Sequence, residues 1–213
     1  MTHHRSQSLR PGFTLIEIFV VIAILAVLGT MGWQAKKLID TRRMNKTAEL
    51  QVGQLEAGMN SYRQDSGDIL PAGNGDDWSS HVLYVTLYND HDGDGQPDVD
   101  KRTDEPLPVY CDALAPMGNL KKVSEIANGI PVMRINMKEP GSNKKSKRFA
   151  IIDPWMKPYL YRLGYEMKDE KNRAGKGINP DFDIFSRGPD GEGNGLNNLK
   201  NNEDNISNIR SWN

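Results

Sequence analysis

One cysteine, Cys111, stands in 213 residues, which excludes a disulfide within the chain and leaves no CxxC redox pair or cysteine-based zinc knuckle. Histidine is almost as scarce. His3, His4, His81 and His91 fall in no HExxH order and no triad-like arrangement, so the chain carries no recognisable catalytic centre and reads as a non-enzyme. A hydrolase built on Asp181 and Asp183 beside Tyr161 has no positioned nucleophile or base to support it. An excess of positive charge is also missing. Lys+Arg total 27 against 28 for Asp+Glu, a net charge of −1, and this excludes the basic face that nucleic acid requires. With 37% hydrophobic residues and a second half rich in Gly, Pro and Asn, the chain can fill one modest core with appendages.

What is present begins at the N-terminus. Phe13 to Trp33 is an apolar run with a single charge, Glu17, and at ~1.5 Å per residue it measures roughly 31 Å, enough to span a bilayer's hydrocarbon. The run is too long for the apolar region of an ordinary secretory signal, and the basic stretch GWQAKKLIDTRRMNK follows it in place of a small-residue cleavage site. A cut is therefore expected before the run, at Pro11-Gly12/Phe13, after a short leader holding Arg5 and Arg10. A carboxylate inside an apolar segment costs on the order of 3 kcal/mol on insertion scales, which marks Glu17 as a functional residue.

Beyond Gln34, Ala48, Val52, Leu55, Met59 and Tyr62 recur at steps of four and three, the stripe of an amphipathic helix that continues to about Ser66. Gly67 and Pro71 end it. Residues 68–148 read as a loop-rich insertion with one or two short helices or strands, and KKSKR (Lys144 to Arg148) as a solvated loop tip. After it, Phe149-Ala150-Ile151-Ile152, Tyr159-Leu160-Tyr161-Arg162-Leu163 and Phe182-Asp183-Ile184-Phe185 are strand signals of an antiparallel meander. Alternation puts Tyr159 and Tyr161 on one face, the core face. The expected fold class is α+β: a long N-terminal helix, transmembrane then amphipathic, packed on a small antiparallel sheet. The segments are 1–12, 13–33, 34–67, 68–148 and 149–213.

Two loops are acidic. In DHDGDGQPDVD, Asp90, Asp92, Asp94 and Asp98 place carboxylates at alternating positions around glycines, the oxygen-rich pattern that wraps calcium. The twelfth position from Asp90 is Lys101, not Glu, so this is no EF-hand; it resembles a single aspartate-rich loop of the thrombospondin type 3 or dockerin kind. The second loop, SRGPDGEGNG, leads to Glu203-Asp204 and a closing Trp212.

GFTLIE ahead of an apolar helix resembles the class III signal of type IV pilins and of the pseudopilins of type II secretion. Asp153-Pro154-Trp155-Met156-Lys157-Pro158-Tyr159-Leu160-Tyr161, then Phe182-Asp183-Ile184-Phe185-Ser186-Arg187-Gly188-Pro189-Asp190-Gly191 and a terminal Trp, is similar to the major pseudopilin family, with Met156 where that family has glycine. The resemblance covers about 13–67 and 149–213. It implies cleavage after Gly12 by prepilin peptidase, methylation of Phe13, and pairing of Glu17 with the new amine of a neighbouring subunit. It implies a calcium-stabilised C-terminal loop with Asp190 and Asp204 as ligands. The implied protein is a subunit held in the inner membrane by a single pass, with its C-terminal domain in the periplasm. There it assembles with copies of itself, other pseudopilins and the inner-membrane platform into a pseudopilus for protein secretion. The same cleavage signal also serves a minor pilin or a surface adhesin whose insertion binds a partner.

Overall fold

The computed structural model describes residues 14–116, 129–167, 175, 177–191 and 206–207, without the side chains of 29–35, 37, 115 and 206–207. Among these lie two helices, α1 (Leu15–Ser66) and α2 (Asp77–Tyr88), and six strands: β1 (Leu114–Pro116), β2 (Ile130–Lys138), β3 (Lys145–Ile151), β4 (Leu160–Leu163), β5 (Phe182–Ser186) and β6 (Ile206–Ser207). The chain divides into two units, Met1–Arg43 and Met44–Asn213.

In the first unit the side chains from Leu15 to Leu28 are all exposed, Leu15 at 77% and Phe19 at 69%. Among the described residues no helix is long and apolar enough to cross a membrane. The expected transmembrane half of the helix, and with it a single-pass inner-membrane location, is corrected on that ground.

In the second unit the expected stripe is the buried one. Ala48, Val52, Leu55 and Met59 are buried, while Tyr62 is partly so. Gly58 sits in that stripe because a Cβ there would meet the Tyr110 carbonyl oxygen at 2.8 Å, so the helix can come this close only without a side chain. The partner of the stripe is not one small antiparallel sheet. Two three-stranded sheets form, β1-β2-β3 and β4-β5-β6. In the first, β1 runs parallel to β2, and β2 pairs antiparallel with β3 from Val132↔Ile151 to Lys138↔Lys145. In the second, β4 and β5 pair from Leu160↔Phe185 to Leu163↔Phe182.

The element that ties them together is α2. Asp76 caps it by accepting the Ser79 N–H at 3.0 Å, and Asn89 closes it in the left-handed conformation at φ 56°. Its inner face carries serines, which let it approach closely. Ser80 Oγ accepts the Ile151 N–H at 3.1 Å at the end of β3, and Ser79 Oγ accepts the Tyr161 N–H at 2.9 Å on β4. Between them Leu83 and Leu87 join Ile130, Val132, Phe149, Tyr159, Tyr161 and Ile184 in one buried cluster with the α1 stripe. Residues 68–148, expected as a loop-rich insertion with one or two short helices or strands, hold α2, β1, β2 and the start of β3, and supply Leu70, Leu83, Leu87, Ile130 and Val132 to the buried cluster. KKSKR is not a loop tip but mostly the first half of β3, with Lys145 and Lys147 exposed.

Candidate metal-binding loop and helix start

The loop after α2 is organised around Asp90, which is 1% exposed. One of its carboxylate oxygens accepts the N–H groups of Gly93 (2.7 Å) and Asp94 (3.2 Å), and the other accepts the Gly95 N–H (3.0 Å) and the Tyr84 hydroxyl (2.5 Å). Burial, then the neighbouring carboxylate, pushes the Tyr84 phenol well above its ordinary value, so it acts as a donor at every working pH. Gly93 and Gly95 take φ of 78° and 93°, which lets two consecutive turns fold their N–H groups onto Asp90. The outer limb is pinned by backbone bonds from Asp98 N to Asn89 O (2.8 Å) and from Leu107 N to Asp98 O (2.7 Å).

Three of the four expected ligands converge here. Asp90, Asp92 and Asp94 each bring a carboxylate oxygen to within 4.8 Å of the others. Asp92 and Asp94 are exposed and each accepts one backbone N–H, from Asp94 (3.0 Å) and Gln96 (2.7 Å). Asp98 is not among them. It accepts both the backbone N–H and the Nδ1 of His91 at 2.9 Å. Three anionic oxygens this close repel one another, and a hard cation relieves that repulsion through the two exposed carboxylates. The donor set is all oxygen, which suits calcium or magnesium and not a soft metal.

At the other end of the chain, Thr14 precedes α1 and Glu17 occupies its first turn. The Thr14 N–H reaches a Glu17 carboxylate oxygen at 2.7 Å, the Thr14 hydroxyl reaches the same oxygen at 2.9 Å, and the Glu17 N–H returns to Thr14 Oγ1 at 3.3 Å. This is a reciprocal capping box. Its signal, Thr-x-x-Glu, lies in plain view inside GFTLIE. Gly12 and Phe13 lie outside the described residues.

In the C-terminal loop Asp190 is exposed in the turn Gly188–Gly191, while Asp204 lies outside the described residues. Beside that turn is a residue with no expected role, Asp153. It is fully buried, accepts the Trp155 (3.0 Å) and Lys157 (2.8 Å) N–H groups, and takes the Ser186 hydroxyl at 2.6 Å. Ser186 Oγ in turn accepts the Gly188 N–H at 3.0 Å, so Asp153 ties the turn before β4 to the start of the loop after β5. Burial raises the Asp153 carboxyl above the usual carboxylate range despite these bonds. Asp181 pairs with Arg63 at 2.7 Å, and buried Asp183 accepts the N–H groups of Ile178 and Asn179. Tyr159 and Tyr161 are fully buried, their hydroxyls donating to Gln51 Oε1 (2.8 Å) and the Pro71 carbonyl (2.9 Å).

No protein-family model, curated protein or solved structure matches this chain.

Proposed function

We propose that the chain is a structural subunit of the pseudopilin kind, cut after Gly12, methylated on Phe13, and assembled into a pseudopilus that serves type II protein secretion. One observation carries the reading: directly after the capped helix start, every described side chain from Leu15 to Leu28 is exposed. A helix that is apolar on all sides needs cover on all sides. Copies of the same helix supply it in a filament, each burial of a Leu or Ile contributing about 1.5–3 kcal/mol. Calcium at Asp90, Asp92 and Asp94, and a second ion at the loop of Asp190 and Asp204, hold the surface of the Met44–Asn213 unit in one conformation.

The test is assembly in cells that also express prepilin peptidase and the secretion platform. Val20→Lys and Ile24→Lys are expected to abolish filaments while the folded unit keeps its melting temperature. Filaments of normal length from either variant reject the proposal.

A further inference from the structure

The end of the β2–β3 hairpin gathers positive charge. Between Arg134 and Arg148 six cations stand against one acid, Glu139. In the antiparallel register Lys138 lies directly opposite Lys145, and Asn136 opposite Lys147, so these side chains share one face. The three lysines are exposed, as is Lys144 in the connection between the strands, and none has an ion pair among the described residues. Like charges set directly opposite one another across two strands are destabilising, so the hairpin folds at a cost that an anionic partner would relieve. A lysine on an edge strand also keeps that strand from pairing with another chain, but Lys145 and Lys147 suffice for this without Lys138 set against them.

The same unit holds a patch of opposite sign. From Asp98 to Glu105 four acids stand against Lys101 and Arg102, and Arg102 is drawn to Asp100 at 3.6 Å. The segment is pinned: the Asp100 N–H donates to the Glu105 carbonyl at 2.8 Å, the Asp104 N–H donates to the Asp100 carbonyl at 2.8 Å, and Asp104 takes φ 59°. It presents two consecutive carboxylates, Asp104 and Glu105, both exposed and neither in an ion pair among the described residues. They stand outside the cluster of Asp90, Asp92 and Asp94. We propose that the lysine face of the β2–β3 hairpin docks on Asp104 and Glu105 of a second copy of the chain. The inference rests on the reading of the chain as a self-assembling subunit and names a contact between the folded units. Exposed charge pairs set partner choice and register more than affinity, which the packing of the apolar helices supplies.

Disulfide trapping on the full chain in detergent tests this. Asn136→Cys goes into one preparation and Thr103→Cys into another, both exposed positions beside the charges, while the native Cys111 is buried. On mixing, the disulfide between positions 136 and 103 is expected in excess over the two like-with-like products. Lys138→Glu with Lys145→Glu in the first preparation should slow it by ~10-fold or more, because like charges then meet. Asp104→Asn with Glu105→Lys in the second should restore the rate, the asparagine keeping the left-handed turn. Absence of the mixed disulfide, a rate unmoved by the lysine reversal, or no restoration by the complementary change overturns the proposal. An unmoved rate together with weaker binding of the lysine-reversed chain to phosphatidylglycerol vesicles assigns the face to an anionic membrane instead. Filaments of normal length from the lysine-reversed chain overturn the contact and leave the subunit reading standing. Trapping that follows the charges in a chain that forms no filaments upholds the contact and rejects that reading.

Discussion

Thr14 gives its backbone N–H, at 2.7 Å, and its hydroxyl, at 2.9 Å, to a single carboxylate oxygen of Glu17. The carboxylate thus has work within its own chain, satisfying one of the orphan donors at the helix start. Glutamine at this position keeps a capping acceptor and loses the charge, so it separates the two roles. Glu17→Gln is expected to retain amide-exchange protection in the first turn of α1 and to lose filament assembly. Glu17→Ala should lose both. Normal assembly by Glu17→Gln would leave Glu17 as a capping residue only.

The stripe Ala48, Val52, Leu55 and Met59 was legible because a helical period survives any tertiary context, and the strands around Tyr161 and Ile184 because their apolar runs are short and bounded by turns. The α2 segment was not. The one or two short helices or strands expected in 68–148 left its type open, because HVLYVTLY is rich in the β-branched and aromatic residues that favour strands, yet it forms a helix. In the acidic loop, alternation placed Asp98 with the other three. The chain sends it instead to His91, because its backbone pairs with Asn89 and Leu107 on the outer limb. The capping box was readable in GFTLIE as Thr-x-x-Glu, beside the pairing with a neighbouring subunit's amine that the resemblance implies for Glu17.

Calcium should stabilise the folded unit through Asp92 and Asp94. Three carboxylates and short turns point to a dissociation constant of about 10⁻⁴–10⁻³ M. At 10 mM calcium the gain is then about 1.4–2.7 kcal/mol. Asp92→Asn and Asp94→Asn are expected to abolish the rise in melting temperature at this loop. Asp190→Asn should lower the stoichiometry in equilibrium dialysis from two ions to one. A melting temperature of the parent unmoved by calcium would reject both sites.

Asp153 gives the folded unit a pH dependence of unusual sign. Its carboxyl is raised by burial above its unfolded value, so its contribution is fully present below that value, near 3.8, and is lost as pH rises through the folded value. Asp153→Asn keeps an acceptor for the Trp155 and Lys157 N–H groups and cannot titrate. The stability of the parent relative to Asp153→Asn should therefore fall between pH 4 and neutrality, measured by urea unfolding. A difference that rises over that range contradicts the assignment.

Met156 adopts φ 66° in the turn where Met156 N–H reaches the Asp153 carbonyl at 3.0 Å and Asp153 N–H reaches the Lys157 carbonyl at 2.8 Å. The turn that the pseudopilin resemblance gives to glycine forms here with a side chain in the left-handed region, at a cost of about 1–2 kcal/mol. The side chain is 49% exposed, so its removal forfeits little burial. Met156→Gly is expected to stabilise the unit by about 1 kcal/mol in thermal unfolding, net of the added freedom of the unfolded chain.

The central claim, a processed subunit built to pack its apolar helix against copies of itself, is tested most directly by mass spectrometry of the mature N-terminus from cells containing prepilin peptidase. The account predicts a chain beginning at Phe13 with a methylated amine. A chain beginning at Met1 in those cells contradicts it.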